Sequence, residues 1–265
     1  MSVLPIREVE KVWGRDSLPA PFEAPAGKRI GEIWFEPPED LPGLLVKYIF
    51  TSEKLSVQVH PGDSGVDGDA RTGKEECWLI LDAEPGASVA IGFREPVDAG
   101  TMRAAALDGS IEGLLAWHPA RAGDFFYIPA GTVHAIGSGL SLVEIQQNSD
   151  VTYRLYDYGR PRELHLDRGI AVARGAPHDP ALRHHVGAHG TEELVRAAHF
   201  IAHRLDGEPD DALLAEYDTP MLVLPLAGTV RLHGERVWPG ECASASSIEA
   251  LEFEDDAQCV IVRPG

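Results

Sequence analysis

The chain has 265 residues, a net charge of −19 and 44% hydrophobic residues. That hydrophobic share supports one large folded domain or two modest ones, and it excludes disorder, collagen and coiled coil as the main state. So acidic a surface repels phosphate backbones, which excludes nucleic acid as a partner; a small anionic substrate would need a local group of cations to reverse the field.

Three cysteines, Cys77, Cys242 and Cys259, contain no CxxC spacing, and an odd count does not indicate a disulfide framework. The first residues, MSVLPIREVEKVWG, hold no apolar run of signal-peptide length. A reducing, cytoplasmic setting is expected. No stretch approaches the roughly 20 apolar residues of a membrane span, so no membrane partner is expected.

Glycine and proline divide the chain into short segments rich in Val, Ile and aromatic residues. Strands are expected at 29–35, 44–50, 55–60, 77–81, 88–93, 125–128, 142–147 and 152–156. Residues 99–107 and 110–116 read as a small helical insertion. A third helix is expected at 163–173, where Leu164, Leu166, Ile170 and Val172 form an apolar stripe. The Gly-, Pro- and His-rich stretch 175–190 reads as a linker, and Thr191 followed by Glu192, Glu193 and Leu194 as a short capped helix. Strand patterns resume at 199–205, 221–226, 229–233, 249–254 and 258–262. The expected fold is all-β, a jelly-roll barrel followed by a smaller β unit. Its expected parts are residues 1–175, a linker and short helix over 176–198, and a C-terminal unit over 199–265.

Four clusters carry chemistry. Gln58 and His60 stand two apart, so on a strand they share one face. Alone they fit a histidine satisfied by a loop carbonyl better than a metal ligand. Lys74, Glu75 and Glu76 enter the apolar run 78–81, and alternation turns the two carboxylates to opposite faces. A carboxylate at the mouth of a buried strand is costly unless paired or bound to metal. The third cluster, Gly123-x5-Pro129-x-Gly131-x2-His134, has the form of the second metal motif of cupins, in which a tight turn brings His134 to the barrel mouth. In the fourth, Leu142, Glu144 and Gln146 share a face, and Arg154 follows in the next strand. Without the other clusters, Glu144 and Arg154 also fit a buried ion pair between strands.

Taken in order, the stretches LLVKYIFTSEKLSVQVHPGD, GKEECWLIL, GDFFYIPAGTVHAIG, LVEIQQNSDVTYRLYDYGR and RELHLD resemble the type I mannose-6-phosphate isomerases in their short bacterial form, a cupin family. KVWG and IGEIWFE look like that family's Trp-Gly and Gly-Glu-x-Trp segments, and the resemblance covers residues 10–170. It implies interconversion of mannose 6-phosphate and fructose 6-phosphate through a cis-enediol. It implies one Zn²⁺ per chain on Gln58, His60, Glu76 and His134, although the donor set alone also suits other divalent metals. It implies Lys74 and Arg154 as active-site residues, expected to face enediolate or phosphate; Lys47 and Arg160 are weaker phosphate candidates on our own reading. Glu144 becomes the candidate base.

Two positions depart from the pattern, Arg15 after KVWG and Gly62 after His-Pro, and the loop 62–73 is longer than usual. The C-terminal unit is expected to hold no metal, and the chain to be a monomer or homodimer. Because an imidazole binds metal only when neutral, metal affinity is expected to fall below the ordinary histidine pKa of about 6.5. His118 and His165 read as structural, His184, His185 and His189 as surface, and Cys77 as core. Two other readings share the metal site: an Fe-dependent cupin oxidoreductase, and a non-catalytic sugar-phosphate-binding bicupin.

Overall fold

The computed structural model describes residues 2–64 and 73–265; most of the loop 62–73 lies outside them. The first part of the chain forms β1 (Ile6–Arg15), β2 (Ile30–Phe35), β3 (Leu44–Phe50), β4 (Val57–Val59), β5 (Glu76–Ala83), β6 (Ser88–Phe93), α1 (Ala99–Asp108) and α2 (Ile111–Leu114). It continues through β7 (Leu115–Pro119), β8 (Asp124–Ile128), β9 (His134–Ile136), β10 (Leu140–Gln147), β11 (Tyr153–Tyr156) and α3 (Leu166–Val172). The rest comprises β12 (Arg183–His185), β13 (Glu192–Arg196), β14 (Phe200–Asp206), α4 (Asp211–Glu216) and β15 (Met221–Ala227). It closes with β16 (Val230–Leu232), β17 (Glu235–Val237), β18 (Ala243–Ala245), β19 (Leu251–Phe253) and β20 (Gln258–Pro264).

Two sheets make the jelly roll, one ordered β1-β2-β3-β10-β5-β8-β12 and the other β11-β4-β9-β6-β7; they do not close into one ladder. Alternation decides what lies between them. On β5, Trp78 and Ile80 join Ile49, Val89, Ile136 and Leu142 in the interior. Cys77 and Leu79 face the opposite way, into a layer shared with the C-terminal sheet β13-β14-β20-β15-β18. Phe200, Leu222, Leu224, Val260 and Val262 close that layer from the other side. Strand β3 is therefore buried on both faces and reads LLVKYIF without polar alternation. Lys47, its one charge, marks where the interior stops being oil.

Several elements differ from the sequence expectation. Only Ile111–Leu114 of the stretch 110–116 is helical. Leu115 starts β7 instead, which pairs along β6 with Ala90 opposite Trp117, and that ladder buries Leu115. The capped helix expected at Thr191–Leu194 is a strand, β13, paired with β14. The Thr-Glu-Glu pattern looks the same locally, but the ladder and the burial of Leu194 and Val195 against the shared layer decide the outcome. Residues 183–185, expected within the linker, add β12 to the edge of the first sheet beside β8. Strand β1 is hidden in the sequence because an edge strand tolerates charge: Arg7, Glu8, Glu10 and Lys11 mask its apolar positions. Among the described residues, no helix is long and apolar enough to cross a membrane.

Candidate metal centre and active-site cavity

Short strands at one end of the jelly roll deliver the donors. Strand β4 lies between β11 and β9, which places Gln58 opposite Arg154 on one side and opposite His134 on the other. His134 follows the turn 129–132, in which the Thr132 N–H donates to the Pro129 carbonyl at 3.1 Å and Gly131 has φ +84°. That conformation favours glycine, and a Cβ there would meet the Val172 carbonyl oxygen at 2.9 Å. The Gly131 N–H donates to the His60 carbonyl at 2.8 Å, tying the two histidine segments together.

Both rings are oriented from behind. Nδ1 of His60 lies 2.9 Å from the Val151 carbonyl oxygen, and Nδ1 of His134 lies 2.9 Å from that of Thr132. A carbonyl only accepts, so each Nδ1 carries the proton and each Nε2 presents a lone pair. The two Nε2 atoms face different oxygens of Glu76, each at 3.4 Å. Among the described residues, His60, Glu76 and His134 form the group whose donor atoms all lie within 4.8 Å of one another, and all three are buried. Gln58 reaches the same place, its amide nitrogen 3.3 Å from His134 Nε2 while its oxygen accepts from Ser56 Oγ at 3.2 Å. Half a turn of the amide exchanges the two atoms.

The donor set fits a divalent cation. Glu76 Oε1 is buried without a hydrogen-bond partner. Lys74 Nζ stands in for a cation here, donating to Glu76 Oε2 and lying 3.1 Å from His60 Nε2. Burial, and then the neighbouring Glu144 charge, raise the Glu76 pKa to about 7; Lys74 offsets this only in part. Burial lowers the His134 pKa to about 4 and pushes that of His60 well below its ordinary value. Burial thus favours neutral imidazoles and adds Glu76 to the histidines as a group for which protons compete. Binding needs the ionised carboxylate, so affinity falls as pH drops through the Glu76 pKa. Between pH 7 and 5 we expect binding to weaken as pH falls, with the protons released per metal rising toward one. Calorimetric titration with zinc at pH 5 in buffers of different ionisation enthalpy reads that number; no proton release at that pH would contradict it.

Sheet register builds the wall beside this centre. Arg7, Trp34, Lys47, Glu144 and Trp78 are successive cross-strand partners on β1, β2, β3, β10 and β5. Glu144 takes Lys47 Nζ at 2.7 Å and has Lys74 Nζ at 3.6 Å, while Trp78 Nε1 donates to it at 3.0 Å. Lys47 is also 3.9 Å from Glu32, which pairs with Lys11 at 3.1 Å. Burial works against the Lys47 charge, but Glu144 and Glu32 outweigh it and raise its pKa. Burial likewise works against the Glu144 charge, but Lys47 and Lys74 outweigh it and hold the carboxyl well below its usual range. Buried charges persist only in such mutual company.

The wall borders a cavity of about 520 Å³ also lined by Gln58, Lys74 and Arg154. That lies in the roughly 300–1,000 Å³ range of small-molecule sites. Arg154 is half-buried, and one guanidinium N–H donates to the Glu163 carbonyl at 3.3 Å. Arg160, a phosphate candidate from sequence, does not line the cavity: it is held by the Asp157 side chain at 3.4 Å and by the Lys54 carbonyl. Arg162 lines it instead, gripping Asp157 at 2.6 and 2.7 Å. Sequence reasoning also missed Arg7, Lys11 and Glu32. The signal was present in period two, because Arg7, Lys11 and Trp13 fall on one face of β1, and Glu32 and Trp34 on one face of β2.

Other histidines stand apart. His184, His185 and His189 each meet a different carboxylate, Glu192 at 3.5 Å, Asp124 at 2.8 Å and Asp206 at 3.7 Å. His118 packs under Arg183, and His165 Nδ1 accepts the Arg154 backbone N–H at 3.2 Å. Cys77 faces away from Glu76, into the layer between the units.

No family model matches the chain. It is 41% identical over 136 residues to the mannose-6-phosphate isomerase of Streptococcus mutans serotype c, an alignment spanning 49% of this chain and 43% of that protein. It is 37% identical over 238 residues to the mannose-6-phosphate isomerase ManA of Bacillus subtilis, spanning 82% of this chain and 74% of that one. The crystal structure of the Bacillus subtilis mannose 6-phosphate isomerase superposes with a TM-score of 0.75 at 22% identity, over 99% of both chains. A zinc-bound mannose 6-phosphate isomerase superposes with a TM-score of 0.71 at 13% identity, again over 99% of both. These two superpositions concern the fold, while the longer alignment to ManA settles the relationship: the chain belongs to the mannose-6-phosphate isomerase family.

Proposed function

We infer that the protein interconverts mannose 6-phosphate and fructose 6-phosphate, with Zn²⁺ held by Gln58, His60, Glu76 and His134. The observation that carries this is the convergence of His60, Glu76 and His134 within 4.8 Å, beside a cavity lined by Lys74, Glu144 and Arg154. When bound, the ion supplies Lewis acidity toward the oxygens on C1 and C2 of the open-chain sugar.

The remaining work falls to side chains. One proton leaves C2 and returns to C1, and a hydroxyl proton passes from O2 to O1. Glu144 is the candidate base for the carbon proton, held anionic at the cavity wall. Lys74 and Arg154 place positive charge beside the oxygens on which the enediolate develops. They also supply the field reversal that a phosphorylated substrate needs against a −19 chain. Residues 1–175 carry all of these groups. An oxidoreductase would have no use for Lys47, Lys74 and Arg154 around one cavity.

A coupled assay of mannose 6-phosphate turnover tests the reading. Turnover should vanish with a chelator and return with added zinc. A metal-replete protein that leaves mannose 6-phosphate unchanged would overturn it.

A further inference from the structure

We propose that Trp78 is a positioning residue for the isomerisation, its indole N–H fixing the plane of the Glu144 carboxylate at the cavity wall. This rests on the isomerase reading above and adds a residue that the metal and cation assignments do not use.

Trp78 stands two residues after Glu76 on β5 and is fully buried. It is the direct cross-strand partner of Glu144, and its Nε1 donates to Oε2 at 3.0 Å. Oε1 faces the two ammonium groups, Lys47 at 2.7 Å and Lys74 at 3.6 Å. An ammonium is a point charge on a flexible stem and accepts many carboxylate orientations. The indole N–H is a single directional donor, locked by packing among Ile80, Phe126 and Leu142. Lysines alone would hold the charge of Glu144, and Trp78 adds the plane of its carboxyl group. The same ring meets His134 edge-on, with centroids 5.5 Å apart and planes at 76°. One side chain thus spans the candidate base and a candidate metal donor. Packing alone does not call for the N–H, because the next residue on this face, Ile80, fills the interior with hydrocarbon.

The test is Trp78→Phe, which keeps an aromatic ring against His134 and deletes the donor. A misplacement near 1 Å at a reacting group costs on the order of 10² in rate. We expect kcat to fall about 10- to 100-fold, with KM within about twofold and zinc content equal to the parent. A double-mutant cycle with Glu144→Gln separates positioning from simple packing. If Trp78 acts through Glu144, its substitution costs less than about twofold in kcat once Glu144 is gone. An equal factor in both backgrounds, or a parental kcat in Trp78→Phe, overturns the proposal. Should Trp78→Phe fold poorly, site-specific benzothienylalanine keeps the indole shape without the N–H and must show the same loss of kcat. Absence of turnover in the parent itself would strike the isomerase reading, whereas a fully active Trp78→Phe strikes only this one.

Discussion

Glu76→Gln yields a protein without bound metal and with mannose 6-phosphate turnover reduced at least about a thousandfold. The carboxylate is fully buried and faces both imidazoles through separate oxygens. It is the anionic member of the donor set, and no other carboxylate stands within that group among the described residues. Gln preserves its size, so packing survives while the charge that holds a dication is lost. A Lewis acid at a carbonyl contributes several kcal/mol to the barrier, and each 1.36 kcal/mol is tenfold in rate. Fold is retained because Lys74, which loses its partner, still has Glu144 at 3.6 Å. Elemental analysis after gel filtration, paired with the coupled assay, checks the expectation. Full zinc content with a rate near the parent would remove Glu76 from the metal set.

Arg154→Ala gives the second large effect by a different route. Its guanidinium lines the cavity, and its strand places it directly across from Gln58. Its guanidinium hydrogen-bonds the Glu163 carbonyl rather than a donor atom of the metal centre, so bound zinc should stay at the parental level. The loss should appear in kcat, about 10²- to 10³-fold, the usual cost of deleting one donor aimed at developing negative charge. Arg154→Lys keeps the charge but not the planar fork and should recover only part of the rate. A rate within about threefold of the parent in Arg154→Ala would take away its catalytic role. The two substitutions thus separate holding the metal from meeting the substrate.

The site's residues differ in how plainly the sequence marks them, and the reasons are physical. The Pro129-Ala-Gly131 turn and His134 form a local pattern: proline, glycine and spacing force a tight turn whatever surrounds it. Gln58 and His60 share a face because strand period is fixed by backbone geometry. Glu76 carries a weaker signal, and the long loop 62–73 blurs its distance from His60. Arg160 stands out in the sequence and Arg162 does not, yet Arg162 is the one at the cavity, because residues 157–162 leave the strand and period two no longer reports direction there. In that loop both arginines meet the buried Asp157 carboxylate, and Arg160 is drawn off to the Lys54 carbonyl. The expected helix at 191–194 fails for a related reason, since a capping pattern competes with a ladder that only the partner strand β14 supplies.

Local chemistry in the amino-acid order was enough to set the central strands of the first unit, the turn before His134 and the shared face of Gln58 and His60. The row Arg7–Trp34–Lys47–Glu144–Trp78 was not written there, because its members lie on five strands far apart in the chain. Their meeting depends on register, and a slip of one residue would turn each of them to the opposite face. Packing of the apolar positions on both faces of β3, β10 and β5 selects that register. The hydrophobic core therefore decides which charges stand side by side at the site.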